Sequence, residues 1–302
     1  MANSFGTVAT DLIAQEALAQ LVRNLQFLNN VHTDFSDANL TKGSSVTTHL
    51  VSAGSAVDFD GSAGYAASDV TQTSVDITLD QHKHCTFSLS DSERDASSVE
   101  LVSRFAEASA HALGKSVVDF IFATDADETM NGISNNVGLS SSGFNLDALI
   151  DLGAEMDDAG IPDIGRWVVI HPKVLATLEK DVVGITNSTF DVGSSIVNGG
   201  VSKIRGFDLY SYNNDDFSDS AGEVAGYAGF KESLAVVSAA PSLPPESSSG
   251  SLAYVTEPNS GLTVQRREWY DTKMATFNFA LTLYFGAKMP SAGRAWTITN
   301  AS

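Results

Sequence analysis

The sequence predicts an α+β fold, and three stretches carry that prediction. Residues 96–124 place Phe105, Ala106, Ser109, Leu113, Val117, Phe120 and Ile121 at intervals of three and four, the spacing that turns one helical stripe toward a core. Near the other end, Phe277, Phe279, Leu281, Leu283 and Phe285 alternate strictly, the period-two signal of a long strand. Between them, 145–178 reads as helix, buried strand and helix in succession.

Taken in order, residues 1–30 read as an arm with a helix. Thr10 or Asp11 can cap it, and Leu12, Ile13, Ala17, Leu21, Val22, Leu25 and Leu28 keep helical spacing until Asn29 and Asn30 break it. Arg23 is the arm's one basic residue. Residues 40–80 then turn to Thr, Ser, Val and Gly, and read as a long hairpin. One strand carries Val46, Thr48 and Leu50, the other Val75, Ile77 and Leu79, with a tip over 58–68. Such a ribbon holds little apolar material and is marginal alone in water, so a neighbouring subunit is its expected support.

Residues 81–90 continue as a strand with Cys85, Phe87 and Leu89 on one face, and Ser90 to Glu93 supply caps and first-turn acids for the helical region. That long helix has Arg104, Glu107, His111 and Lys115 on its other face, and at 1.5 Å per residue it would span roughly 40 Å. The Gly, Asn and Ser run at 131–143 reads as a loop and a domain boundary.

Beyond it Asn145 caps a helix with Leu146, Leu149, Ile150, Leu152 and Met156 on its apolar side, ended by Gly160-Ile161-Pro162. The run RWVVI at 166–170 is a buried strand, and Pro172 opens a helix bearing Val174, Leu175 and Leu178. A hairpin bends at Gly206, 223–240 forms a pair of strands or helices, and 242–250 is an exposed turn. Extended segments follow from 261 to 290, with AWTIT at 295–299 as a final strand.

The totals bound the function. The chain has 302 residues, and 17 Lys plus Arg stand against 37 Asp plus Glu, a formal charge of −20. That balance opposes binding nucleic acid by phosphate neutralisation. One cysteine, Cys85, excludes an internal disulfide framework. The first 21 residues lack the basic start and unbroken apolar run of a signal peptide, and no stretch nears the roughly 20 apolar residues of a membrane span. A soluble protein made in the cytoplasm is expected.

No chemistry announces itself. On a strand His82 and His84 share a face while Cys85 points away, so the three cannot close a tetrahedral metal site. Asp125, Asp127 and Glu128 start like a calcium loop but lack its glycine and distal glutamate, and Asn213 to Asp216 with Asp219 reads as a polar turn. The Gly199-Gly200 loop lacks phosphate-loop spacing, and Gly61, Ser62 and Gly64 miss the nucleophile elbow. No nucleophile, metal or cofactor is assigned. Arg266, Arg267 and Glu268, beside Asp271 and Lys273, form the densest mixed-charge patch, suited both to intersubunit ion pairs and to solvation.

The order of these segments resembles the major capsid protein of tailed bacteriophages, the coat fold of the Hong-Kong-ninety-seven type. The segments that carry the resemblance are 75–93, 166–178, 203–213 and 261–286. It implies an N-terminal arm over 1–38, an extended loop over 39–80, a peripheral domain with a long spine helix and return sheet over 81–142 and 260–302, and an axial domain over 143–259. It further implies a structural protein, not an enzyme, whose hexamers and pentamers close an icosahedral shell around double-stranded DNA.

Scaffolding, portal and decoration proteins are the implied further partners, with no membrane. The implied location is the virion, assembled in the host cytoplasm. Expected assembly contacts are Asp58, Phe59 and Tyr65 at the hairpin tip, Arg23 on the arm, and Arg266, Arg267, Glu268 and Asp271. Lys42, Lys83 and Asn39 do not by themselves identify a crosslinking pair. An encapsulin-like cargo shell shares the fold, and no residue here separates it from a phage shell. An acidic surface binding protein is a further class, and a hydrolase stands furthest.

Overall fold

The computed structural model describes residues 26–31, 33, 43–51, 58, 72–96, 99–123, 129–130, 132–140, 143–186, 203–213, 216–239, 241, 251–256 and 263–301. The arm helix with Arg23, the tip residues Phe59 and Tyr65, the acids Asp125, Asp127 and Glu128, the Gly199-Gly200 loop and the turn at 242–250 lie outside the described residues. The fold is mixed α+β, and the described strands form three sheets.

The first sheet is a two-stranded ribbon. Strands β1 (Ser45–Val51) and β2 (Gln72–Thr78) pair antiparallel, from Ser45 opposite Thr78 to Val51 opposite Gln72. Polar cross-strand contacts line it, among them Thr47 Oγ1 donating to Asp76 Oδ1 at 2.6 Å. Among its described residues burial is confined to the root, where Ile77 and Leu79 pack on Ala235, Val237 and Ala239.

The second sheet runs β10 (Ser251–Thr256), β11 (Thr263–Asp271), β12 (Thr276–Lys288), β3 (Gln81–Ser90), with β9 (Ala235–Ala239) also paired to β12. Strict alternation on β12 turns Phe279, Leu281, Leu283 and Phe285 to one face, all buried. Against that face lies α2 (Val99–Phe122), reached through the short helix α1 (Asp91–Ala96). A reciprocal capping box starts α1: Ser90 N–H donates to the Glu93 carboxylate at 2.9 Å, and Glu93 N–H donates back to Ser90 Oγ at 3.4 Å. These bonds hold the Glu93 carboxyl below its ordinary range.

Helix α2 buries Ala106, Ala110, Leu113, Val117, Val118, Ile121 and Phe122. The expected stripe is therefore corrected at one end. Phe105 is 41% exposed, because its ring meets Phe87 of the edge strand β3 at a tilt of 51° and is covered only on that side. His111 and Lys115 face out as expected.

The third sheet has the order β4 (Asn135–Gly138), β13 (Ala295–Thr299), β8 (Val224–Phe230), β5 (Arg166–Ile170), β7 (Phe207–Ser211), β6 (Lys203–Ile204). Strand β5 is central and buried on both faces. Trp167 and Val169 join the core that α2 shares, while Val168 and Ile170 pack with α3 (Leu146–Asp158) and α4 (Pro172–Thr186). Asn145 caps α3 by accepting from Ala148 N–H at 2.9 Å. Ile150, expected inside, is 41% exposed; the buried stripe of α3 is Leu149, Leu152, Gly153 and Met156.

Two further expectations change, and one open alternative is decided. The run 131–143 contains β4, which pairs parallel with β13 and is pinned by Asn135 donating to the Gly293 and Ala295 carbonyls. The pair within 223–240 is two strands, β8 and β9. Strand pairing also crosses the expected domain limits: β9 and β10, inside 143–259, join the sheet under α2, whereas β4 and β13 join the other.

Phe122, at the end of α2, links the two larger sheets. Its ring lies 5.9 Å from Tyr227 of β8 and 6.4 Å from Trp167 of β5. The 3-10 turn Gln26–Asn30 plugs the same junction, with the Phe27 ring 5.1 Å from Phe122 and Leu28 fully buried.

Candidate assembly surfaces

Period two on β11 sorts the predicted charged patch into two environments. Arg266 and Glu268 sit opposite Leu281 and Phe279 on the helix-covered face, 1% and 8% exposed, with Arg266 Nε 3.4 Å from Glu268 Oε1. The surface patch is thus corrected: half of it is an ion pair inside the core. Alternation with Val264, Leu281 and Phe279 left no other side for these two residues, and each charge makes the other tolerable there.

Arg267 and Trp269 emerge on the opposite face. There a basin of about 380 Å³ is lined by His82, His84, Thr86, Arg267, Trp269 and Tyr284, with Thr282 on its floor. Its shape is held from below. Gln265, fully buried, donates from Nε2 to Pro241 O at 3.0 Å and accepts Arg267 Nε at 2.7 Å. The His82 and Tyr284 rings meet edge to face at 4.6 Å. Trp269 stays 37% exposed.

Sequence reading placed His82 and His84 together on an open strand face, as observed, but missed the basin that Trp269 and Tyr284 complete. The odd-numbered positions 265, 267 and 269 were its local signal. Cys85 points to the other side, and among the described residues no three His, Cys, Asp or Glu side chains gather to hold an ion.

At the β11–β12 turn Asp271 Oδ1 accepts the Lys273 and Met274 N–H groups, and Met274 is 67% exposed. Tyr270 donates to Asp91 at 2.6 Å, tying that turn to α1. Asp58 is exposed. The ribbon projects from a narrow root, where Lys288 Nζ donates to Asp76 O at 3.1 Å and the chain crosses Gly286.

Several further charges are paired locally. Arg166, 1% exposed, donates to Asp157 at 2.6 Å and to Pro162 O at 3.0 Å, and holds the Asp157 carboxyl below its ordinary range. Lys173 pairs with Asp219, Lys203 with Asp208, Arg205 with Asp157 and Arg294 with Glu232. Two hydroxyl–imidazole contacts occur among the described residues, His49 Nδ1 with Ser74 Oγ at 3.0 Å and His84 Nδ1 with Thr86 Oγ1 at 3.2 Å, both on exposed strand surface.

No protein-family model matches the chain, and no curated protein matches its sequence. Its shape does have counterparts. A structure from Mycobacterium phage Che8 superposes with a TM-score of 0.56 at 18% identity, over 90% of this chain and 90% of that one. The capsid structure of cyanophage P-SCSP1u gives 0.60 at 13% identity, over 92% and 88%. The chain has the phage capsid fold. The capsid of an empty GTA particle extends the likeness, with a TM-score of 0.53 at 12% identity over 92% and 90%. The likeness covers about nine-tenths of the chain, so the fold is that of the chain as a whole and not of one segment.

Proposed function

We infer that the protein is a shell subunit whose copies assemble as hexamers and pentamers into a closed icosahedral capsid around double-stranded DNA. The observation that carries this reading is the near end-to-end likeness to capsid structures at identities of 13% and below. The ribbon supports it: a two-stranded element whose described residues are polar and buried only at the root gains support when it lies over a neighbour.

A charge of −20 suits a container that does not attract its contents, since like charge keeps the inner wall from trapping phosphate. In this reading the location is the virion, with assembly in the host cytoplasm and with scaffolding, portal and decoration proteins as further partners. The fourfold division into arm, extended loop, peripheral and axial domains is kept, with β9 and β10 moved to the peripheral part and β4 and β13 to the axial part. Asp58, Arg267 and Asp271 are the contact residues proposed among those described.

Electron microscopy and sedimentation velocity on the purified protein, with and without a scaffold, test the reading. Rings of five and six copies and closed shells are expected. A chain that stays monomeric under all assembly conditions overturns it, and shells that load a protein cargo in place of DNA point to an encapsulin-like container.

A further inference from the structure

Arg267 stands apart from the other arginines whose side chains the structure describes. Arg166, Arg205, Arg266 and Arg294 each have a carboxylate within 4 Å, whereas Arg267 has none among the described residues. It donates instead to a neutral amide, Gln265 Oε1. That bond uses Nε and fixes the guanidinium plane, which leaves the two Nη groups for a ligand. Such a fork matches the two oxygens of a carboxylate.

The surroundings add binding area rather than neutralising charge. Trp269 is 37% exposed and Tyr254, across the strand pair from Gln265, is 42% exposed on the same face. Arginine beside exposed Trp and Tyr is the composition of interface hot spots.

We propose that this basin seats a carboxylate-bearing segment of a second copy of the chain, with Arg267 as the group that receives the carboxylate. The assignment rests on the shell reading. Charge complementarity selects the occupant: each copy brings 37 acidic residues against 17 basic ones. Copies carrying −20 repel one another, so their contact needs a local positive site on an exposed face, and Arg267 provides one. Among the described residues the acids Asp58, Asp76 and Asp80 of the ribbon segment, and Asp147 and Asp151 of α3, are exposed and available as donors of that carboxylate.

Two measurements decide the matter together. Arg267→Glu is expected to raise the concentration needed for assembly about tenfold or more, with an unchanged melting temperature, and Arg267→Lys to fall in between. In the wild-type protein, phenylglyoxal labelling read by peptide mass spectrometry is expected to modify Arg267 in dissociated subunits and to spare it in shells. Assembly of Arg267→Glu at the wild-type concentration, or equal labelling in both states, overturns the proposal while leaving the shell reading intact. Should Arg267→Glu fail to fold, the wild-type labelling decides alone. A wild-type chain that never assembles removes both readings. Protection of Arg267 that appears only on adding a separate acidic protein overturns the second-copy assignment.

Discussion

Single residues decide how the ribbon and the sheet junction are held. Gly286 is one: a Cβ built there would stand 2.0 Å from Thr78 O, because the ribbon's root crosses directly over the β12 backbone. Gly286→Ala is expected to cost about 1–3 kcal/mol and to raise amide exchange across 72–80, with little change in the third sheet. Thermal melts and exchange mass spectrometry check it. At the junction, burial pushes the Tyr210 hydroxyl up to about 12, reinforced by the Asp208 charge, and burial with the Asp216 charge does the same for Tyr227. Tyr212 rises for the same first cause, with Asp119 beside it. An unfolded tyrosine ionises near pH 10, so above that value the unfolded chain has lost protons that the folded one keeps. The contribution of these tyrosines is therefore complete below about pH 10 and is lost as the pH rises toward 12, and denaturant midpoints measured across that range are expected to fall.

At the scale of elements, the ribbon and the body have different sources of stability. The described ribbon is polar along its length and anchored by Ile77 and Leu79, whereas α2 and β12 share a continuous core. Deleting 58–68 is therefore expected to leave the melting temperature within a few degrees of wild type while abolishing closed shells in electron microscopy. Normal particles from that deletion would refute the role given to the ribbon. Helix and strand periods made these elements legible: the Asn145 cap, the RWVVI strand, the Gly206 bend and the β12 alternation all stand where local rules put them. Strand β4 was not legible, since four residues of Asn, Val and Gly become a strand only by pairing with β13, about 160 residues away. Ile150 shows the same limit in a helix, where a position at the stripe's margin turns outward once the facing sheet is in place.

At the scale of the whole molecule, net charge sets what the protein meets. With 37 acidic and 17 basic side chains, and with Arg166, Lys173, Lys203, Arg205, Arg266 and Arg294 each paired to Asp or Glu, the net field opposes condensation on a duplex. No retardation of naked double-stranded DNA is expected in gel-shift assays between about 50 and 200 mM salt, where a phosphate-binding protein would show steep salt-dependent binding. The candidate surfaces divide in the same way. Their acidity and the polar ribbon were readable in the chain, as was the shared face of His82 and His84. The burial of Arg266 and Glu268, and the basin around Arg267, were not: which side of β11 is covered depends on where α2 lies.

The sequence by itself determined most of the elements and most of their inward faces, because periodicity, caps and turns act within a few residues. The tertiary structure alone decided which strands share a sheet, which charges are enclosed and which face stays open. Those outcomes depend on contacts between segments more than a hundred residues apart, whose pairing no local pattern specifies.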